Sequence, residues 1–142
     1  VVADQFFVRA SLEGIATKLA VPFMTKKQTA ELASLANMMV KDIRQGNNEN
    51  YIVRNYNFHF LIYESSQNDE LFWSIERLWA LTGPYLAQAV RSQLMPDDWQ
   101  LLHIEIAKAI ADSNATKAAR LIEKDISWGV STFEKLADVN LV

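Results

Sequence analysis

The sequence contains only two histidines, and each occurs in a segment whose apolar spacing is that of a packed helix. His59 follows Asn55 by one helical turn, so a helix would present both side chains on one face. His103 lies in a later helical segment, and Asp125 lies in the last one. Buried polar groups need partners, so two imidazoles, a carboxylate and an amide that converge inside a bundle would form a metal or anion site.

His103 and Asp125 each share a helical face with apolar residues, which predicts that both point inward. Their neighbours at helical spacing are Trp99, Ile106 and Ile110 for His103, and Ala118, Leu121 and Ile122 for Asp125. An isolated buried carboxylate is costly, so Asp125 is expected to have a cationic partner, a hydrogen-bonded imidazole or a metal. Spacing alone leaves open the alternative that both histidines are ordinary core residues.

The spacing of apolar residues predicts the elements that must position these side chains. Few glycines and prolines interrupt the chain, and no stretch alternates long enough to indicate strands. We therefore expect an all-α fold, an antiparallel bundle of six or seven helices. The first helix is predicted to end before Pro22 and to bury an apolar stripe formed by Val8, Leu12, Ile15 and Leu19.

Turn and capping signals divide the rest of the chain. Thr25 and Gln28 resemble a capping box at the start of a second helix, and residues 50–66 form a third. A fourth helix begins near Leu71 and should kink or split at Gly83 and Pro84. Two more are expected from residue 96 and from residue 116 towards residue 137.

Composition limits the class of protein. The 142 residues are half hydrophobic with a formal net charge of −3, which predicts one domain that does not bind DNA by itself. There is no cysteine, and no apolar run is long enough to span a membrane, so we expect a soluble, cytoplasmic protein. The sequence does not begin with methionine, which suggests that a further domain precedes it.

Several segments together resemble one family, the FCD effector-binding domains of GntR-family bacterial transcription regulators. Residues 8–20 resemble the family's opening helix, residues 55–59 its Asp-x-x-Phe-His motif, and residues 64–68 the turn that follows. Residues 103–110 are similar to its His-x-x-Ile-x-x-Ala-Ile segment, and residues 118–126 to its last helix. The resemblance extends over essentially the whole chain in the family's order.

The resemblance implies a divalent metal held by one aspartate and three histidines, and this chain departs from that set at two positions. Asn55 stands in place of the aspartate, and Asp125 stands in place of the last histidine. The remaining imidazoles of His59 and His103 could still bind Zn²⁺, Ni²⁺ or Mn²⁺ together with Asp125 and Asn55. The alternative is that the metal has been lost and that Asp125 bonds directly to an imidazole.

The resemblance also implies the rest of the function. Arg9 matches an arginine that can grip the carboxylate of an effector, and Arg91 is a second candidate, although either could form a surface ion pair. We expect a non-enzymatic, homodimeric domain that senses a small organic acid and controls DNA binding by a winged helix-turn-helix domain outside this sequence. A metal-dependent hydrolase-like enzyme and a ligand-free interaction module are the alternatives, and Glu64 and Glu105 are the nearest acidic groups for an enzyme.

Overall fold

The structure, a computed structural model, describes the backbone of residues 2–140 and the side chains of residues 2–133. Six α-helices occur in these residues and no strand does, which confirms the predicted all-α antiparallel bundle. The helices are α1 (Val2–Ala20), α2 (Lys26–Arg44), α3 (Asn48–Tyr63), α4 (Asp69–Arg91), α5 (Leu102–Ala111) and α6 (Ala115–Asn140). Short 3₁₀ turns at Val21–Phe23, Glu64–Ser66 and Trp99–Leu101 connect them.

Helix α1 packs along α6, while α2 packs against α3 and α5. A main core cluster lies between the helices, and each helix contributes apolar side chains to it. A second, smaller cluster consists of Phe6, Ala89, Ile126, Trp128 and Phe133. The fully buried members of the main cluster include Leu32, Met39, Phe58, Ile62, Ile75, Ile106 and Ile122. Burial of each such side chain contributes about 1.5–3 kcal/mol, so this core holds the helices in fixed positions around any polar group enclosed among them.

Side chains cap several helices as the sequence predicts. At the start of α2, the Gln28 backbone N–H donates to Thr25 Oγ1 at 3.1 Å, and the Thr25 N–H donates to Gln28 Oε1 at 2.9 Å. The predicted capping box is therefore confirmed. Asn68 caps α4 by accepting a bond from the Leu71 N–H at 3.0 Å.

The predicted buried stripe of the first helix is wrong. Val8, Ile15 and Leu19 are 43%, 53% and 42% exposed, and only Leu12 of that set is partly buried. Another face of α1 points inward, and it carries Arg9 and Glu13 together with Phe6 and several small residues. Apolar spacing misled the prediction because these polar side chains find partners inside the bundle, which offsets the cost of burying them.

Two other boundaries differ from the prediction. Helix α4 runs without a break through Pro84, so it is not split there. The helix predicted to start at Pro96 begins at Leu102 instead, because Asp98 adopts a left-handed conformation with φ of 56° and a 3₁₀ turn follows it. This irregular segment leads directly into the turn of helix that carries His103.

The close contact between α1 and α6 allows the packing of these two helices to be tested. A Cβ atom at Gly129 would lie 2.5 Å from a ring carbon of the buried Phe6, which cannot move without disturbing the core. We expect Gly129→Ala to lower the free energy of unfolding by about 1–3 kcal/mol, measured by urea denaturation. Gly14→Ala is the matched control, because there the new methyl group meets only the end of the exposed, flexible Glu123 side chain. The control should be neutral or gain up to about 1 kcal/mol from helix propensity, and equal stability of both variants would contradict this packing.

Candidate metal centre

Three helices bring His59, His103 and Asp125 together in the interior. Asp125 Oδ2 lies 3.0 Å from His59 Nε2 and 3.3 Å from His103 Nε2. One ligand atom from each of the three residues lies within 4.8 Å of the others, and all three side chains are buried. These three residues, which are far apart in sequence and lie on α3, α5 and α6, thus meet at one point.

The hydrogen bonds around Glu13 fix the tautomer of His59. The Glu13 carboxylate only accepts, so the Tyr63 hydroxyl must donate its single hydrogen to Glu13 Oε1, at 2.7 Å. Tyr63 can then only accept from His59 Nδ1, which lies 3.0 Å from the hydroxyl oxygen. His59 therefore carries a hydrogen on Nδ1, which leaves Nε2 to face Asp125.

The backbone fixes the tautomer of His103 in the same way. His103 Nδ1 lies 3.1 Å from the carbonyl oxygen of Gln100, which only accepts, so Nδ1 carries the hydrogen. In the neutral form of each imidazole, Nε2 then bears a lone pair. Both lone-pair nitrogens are directed to the region occupied by a single carboxylate oxygen.

Neither Nε2 atom has a hydrogen-bond partner, although both are buried and close to Asp125. The distances to Asp125 Oδ2 are short enough for an ion pair with either imidazole when that ring is protonated. Ligand atoms around a cation at about 2.0–2.2 Å are separated from one another by about 3.0–3.5 Å, and the distances from Asp125 Oδ2 to the two Nε2 atoms are of that size. The cluster could therefore hold a divalent cation, and a direct pair between Asp125 and an imidazole is the alternative.

Electrostatics keep the carboxylate ionised. Burial alone would raise the pKa of Asp125, but the neighbouring His103 and His59 outweigh that effect and hold it well below its usual value. Burial also lowers the pKa of His103, whereas Asp125 and the Gln100 carbonyl more than compensate and leave it raised. Asp125 is therefore anionic at neutral pH, as a metal ligand must be.

Sequence reasoning missed Glu13, which anchors a second buried cluster beside the centre. Besides Tyr63, its carboxylate accepts from Trp79 Nε1 at 2.9 Å and from Arg9 Nε at 2.9 Å. Arg9 also donates to Thr82 Oγ1 at 3.0 Å. The signal in the sequence is the four-residue spacing of Arg9, Glu13 and Thr17 on one face of α1.

A small cavity adjoins the centre and includes two more of the predicted site residues. Its volume is about 20 Å³, and a water molecule needs roughly 10–15 Å³, so in this conformation it has room for one water-sized group. Its lining consists of Phe6, Arg9, Tyr51, Asn55, His59, Leu86, Met95, Asp125, Ile126 and Trp128. Arg9 and Asn55 are thus brought to the centre together with His59 and Asp125.

Arg91 does not lie at this cavity. It is 54% exposed at its side chain, and its Nε and Nη2 donate to Glu49 at 2.6 and 2.9 Å. A role for Arg91 in ligand binding stays a prediction. The buried ring of Phe58 packs edge to face against the imidazoles of His59 and His103, with centroids 5.6 and 5.0 Å away.

Comparison with known proteins identifies the family. The FCD domain model matches residues 4–127. The chain belongs to the FCD domain family. This confirms the resemblance to the effector-binding domains of GntR-family regulators, and it indicates a regulatory domain.

Among solved structures, E. coli McbR/YncC superposes with a TM-score of 0.80 over 93% of this chain and 67% of that chain. The two sequences are 23% identical, so the match supports the fold alone. No curated protein sequence matches the chain. Among the described helices, none has the length and apolar character required to cross a membrane.

The buried Glu13 cluster generates a stability prediction. Glu13→Gln would leave the buried Arg9 without its countercharge and place an amide where three donors now meet an anion. We expect the free energy of unfolding to fall by about 3–5 kcal/mol, measured by chemical denaturation. Glu49→Gln is the control, since it breaks a fully exposed pair of the same type and should cause no measurable change. If both variants unfold at the same denaturant concentration as the parent, the Glu13 carboxylate does not stabilise the fold.

Proposed function

We propose that this chain is the effector-sensing domain of a transcription regulator and that it binds a divalent metal through His59, His103 and Asp125. One observation carries the proposal: two buried imidazole nitrogens face an ionised carboxylate, and neither has a hydrogen-bond partner. Two lone pairs beside an anion repel one another unless a cation lies between them. The family membership supports the same function.

The donor set is suited to several metals. Two imidazoles and one carboxylate favour Zn²⁺, and with added oxygen donors they also suit Ni²⁺ or Mn²⁺. Asn55 borders the cavity, so its carbonyl oxygen is the proposed fourth protein ligand. When bound, the metal supplies a cation that attracts an anionic oxygen of an effector.

A small organic acid is the proposed effector, and Arg9 is the second group that attracts it. Arg9 is fully buried and lines the cavity, yet Glu13 and Thr82 already hold two of its donors. Because the cavity is small, an acid can enter only if side chains such as Leu86 and Met95 move apart. A ligand that binds the widened form more tightly shifts the population towards it.

Such a shift would act on DNA through a separate winged helix-turn-helix domain outside this sequence. Helix α1 carries Arg9 and Glu13, so any movement at the centre is transmitted to α1 and to α6 packed along it. Turnover of the acid is not expected. Glu64 and Glu105 are exposed, and the buried Glu13 is committed to three donors, so none of them is a free general base.

The exposed apolar face of α1 is the proposed contact between two copies of the chain. Val8, Ile15 and Leu19 lie on that face, and Phe7 beside them is also exposed. Adjacent apolar side chains at helical spacing are unusual on the surface of a monomer, and they are typical of an interface. This face lies opposite the polar face that carries Arg9 and Glu13, so a homodimer contact there is coupled to the metal centre.

Metal binding is the first test. After chelation, the parent protein should bind one equivalent of Zn²⁺ in isothermal titration calorimetry, and His59→Ala and His103→Ala should each abolish it. Both variants should also lose any stabilisation by organic acids. Tyr63→Phe keeps every ligand atom but removes the partner of His59 Nδ1, so its affinity should fall about 10–100-fold without loss of stoichiometry. Unchanged zinc binding by His103→Ala would rule out this centre.

The dimer contact has its own test. Ile15→Glu places a charge in the centre of the exposed face of α1 and should convert a dimer to a monomer in light scattering, with circular dichroism unchanged. Val53→Glu is the control, because Val53 is similarly exposed at 59% but lies on α3. A mutant Ile15→Glu protein that keeps the mass of the parent would show that the copies meet elsewhere.

A further inference from the structure

We infer that Tyr51 and Asn55 form a pair of neutral hydrogen-bond donors for the effector, and that they make the site selective for small monocarboxylates over dicarboxylates. The inference rests on the proposed function and specifies the ligand of the same site. Its basis is two side chains whose polar groups the rest of the protein leaves unused.

Tyr51, Asn55 and His59 follow one another at four-residue intervals on α3 and line the same cavity. Tyr51 is 2% and Asn55 is 6% exposed. Within the part of the chain that the structure describes, neither the Tyr51 hydroxyl nor the Asn55 amide makes a hydrogen bond to another residue. Buried polar groups are nearly always paired, and both residues line the cavity, so their polar groups are available to a molecule bound there.

Both groups can donate to an anion. The Asn55 amide offers two N–H donors, whereas the aspartate that the family places here would only accept and would repel an anionic oxygen. Burial and the charge of Asp125 raise the pKa of Tyr51 well above its usual value, so the hydroxyl keeps its hydrogen. Asn55 can use its carbonyl oxygen towards the metal and its N–H groups towards the effector.

The charges near the cavity determine how much negative charge the ligand should carry. Arg9 is positive, Glu13 and Asp125 are negative, and both imidazoles are neutral ligands. A divalent metal then leaves one net positive charge in a buried site. A monoanion neutralises it, whereas a dianion would bury an excess negative charge, which is costly. The small cavity also favours acids with few atoms, since these require the least widening.

Calorimetry on the zinc-loaded parent tests the selectivity. Formate and acetate are titrated at pH 7.5, and malonate and succinate are titrated under the same conditions. We expect the better monocarboxylate to bind at least tenfold more tightly than either dicarboxylate. Equal or tighter binding of malonate or succinate would overturn the inference.

Substitutions separate the two donors from the metal. Tyr51→Phe removes one hydroxyl without changing the shape of the ring, and it should bind acetate about tenfold or more weakly with unchanged zinc affinity. Asn55→Asp should hold zinc at least as tightly as the parent and bind acetate at least tenfold more weakly, because a donor becomes an anion. Asn55→Leu removes the donor without adding charge, and it should also weaken acetate binding when it is measured at a zinc concentration that saturates the variant. Parent-like acetate affinity in Tyr51→Phe and Asn55→Leu would overturn the assignment.

The possible failures can be told apart. A parent protein that binds no zinc overturns the proposed function and this inference together. A parent that binds zinc and acids but shows no preference for monocarboxylates overturns only the inference. Thermal unfolding of each variant, measured without acid, shows whether weaker binding comes from a folded protein.

Discussion

The Glu13 carboxylate is the group on which the arrangement of the buried polar residues depends. It accepts hydrogen bonds from three donors on three helices, and through Tyr63 it determines which nitrogen of His59 carries hydrogen. Without that constraint His59 could rotate or change tautomer, and its Nε2 would not face Asp125. A negative charge that is costly to bury is thus stabilised by donors from α1, α3 and α4, and it orients His59 in the candidate metal centre.

Helix α1 buries two charged residues and exposes part of its apolar surface. Arg9 and Glu13 point inward beside Phe6 because they find partners there, whereas Val8, Ile15 and Leu19 are exposed in the part of the chain that the structure describes. The same helix therefore borders the candidate metal centre on one side and the proposed dimer contact on the other. Effector binding and subunit arrangement can be linked through one rigid element, which requires no long pathway of small movements.

The residues Asn55 and Asp125 redistribute the charge of the candidate centre. Asp125 supplies a carboxylate from α6, whereas the resemblance to the family implies a carboxylate on α3 at the position of Asn55, so the number of anionic groups in the proposed centre stays at one. On α3, the Asn55 amide and the Tyr51 phenol then line the cavity, where an aspartate at position 55 would offer only acceptor oxygens. Such a redistribution is expected to alter which acid is bound and to leave the metal site in place.

The sequence by itself determined the class of fold, most helix boundaries and the inward direction of His59, His103 and Asp125, because apolar periodicity and capping are local properties of the chain. It also indicated the family, through several short motifs in a fixed order. It did not determine which face of α1 is buried, since the partners of Arg9 and Glu13 come from residues 50 or more positions away. Only the tertiary structure decided that Phe58 packs on both imidazoles, that Tyr51 joins the cavity and that Arg91 does not, because these depend on how separate helices meet.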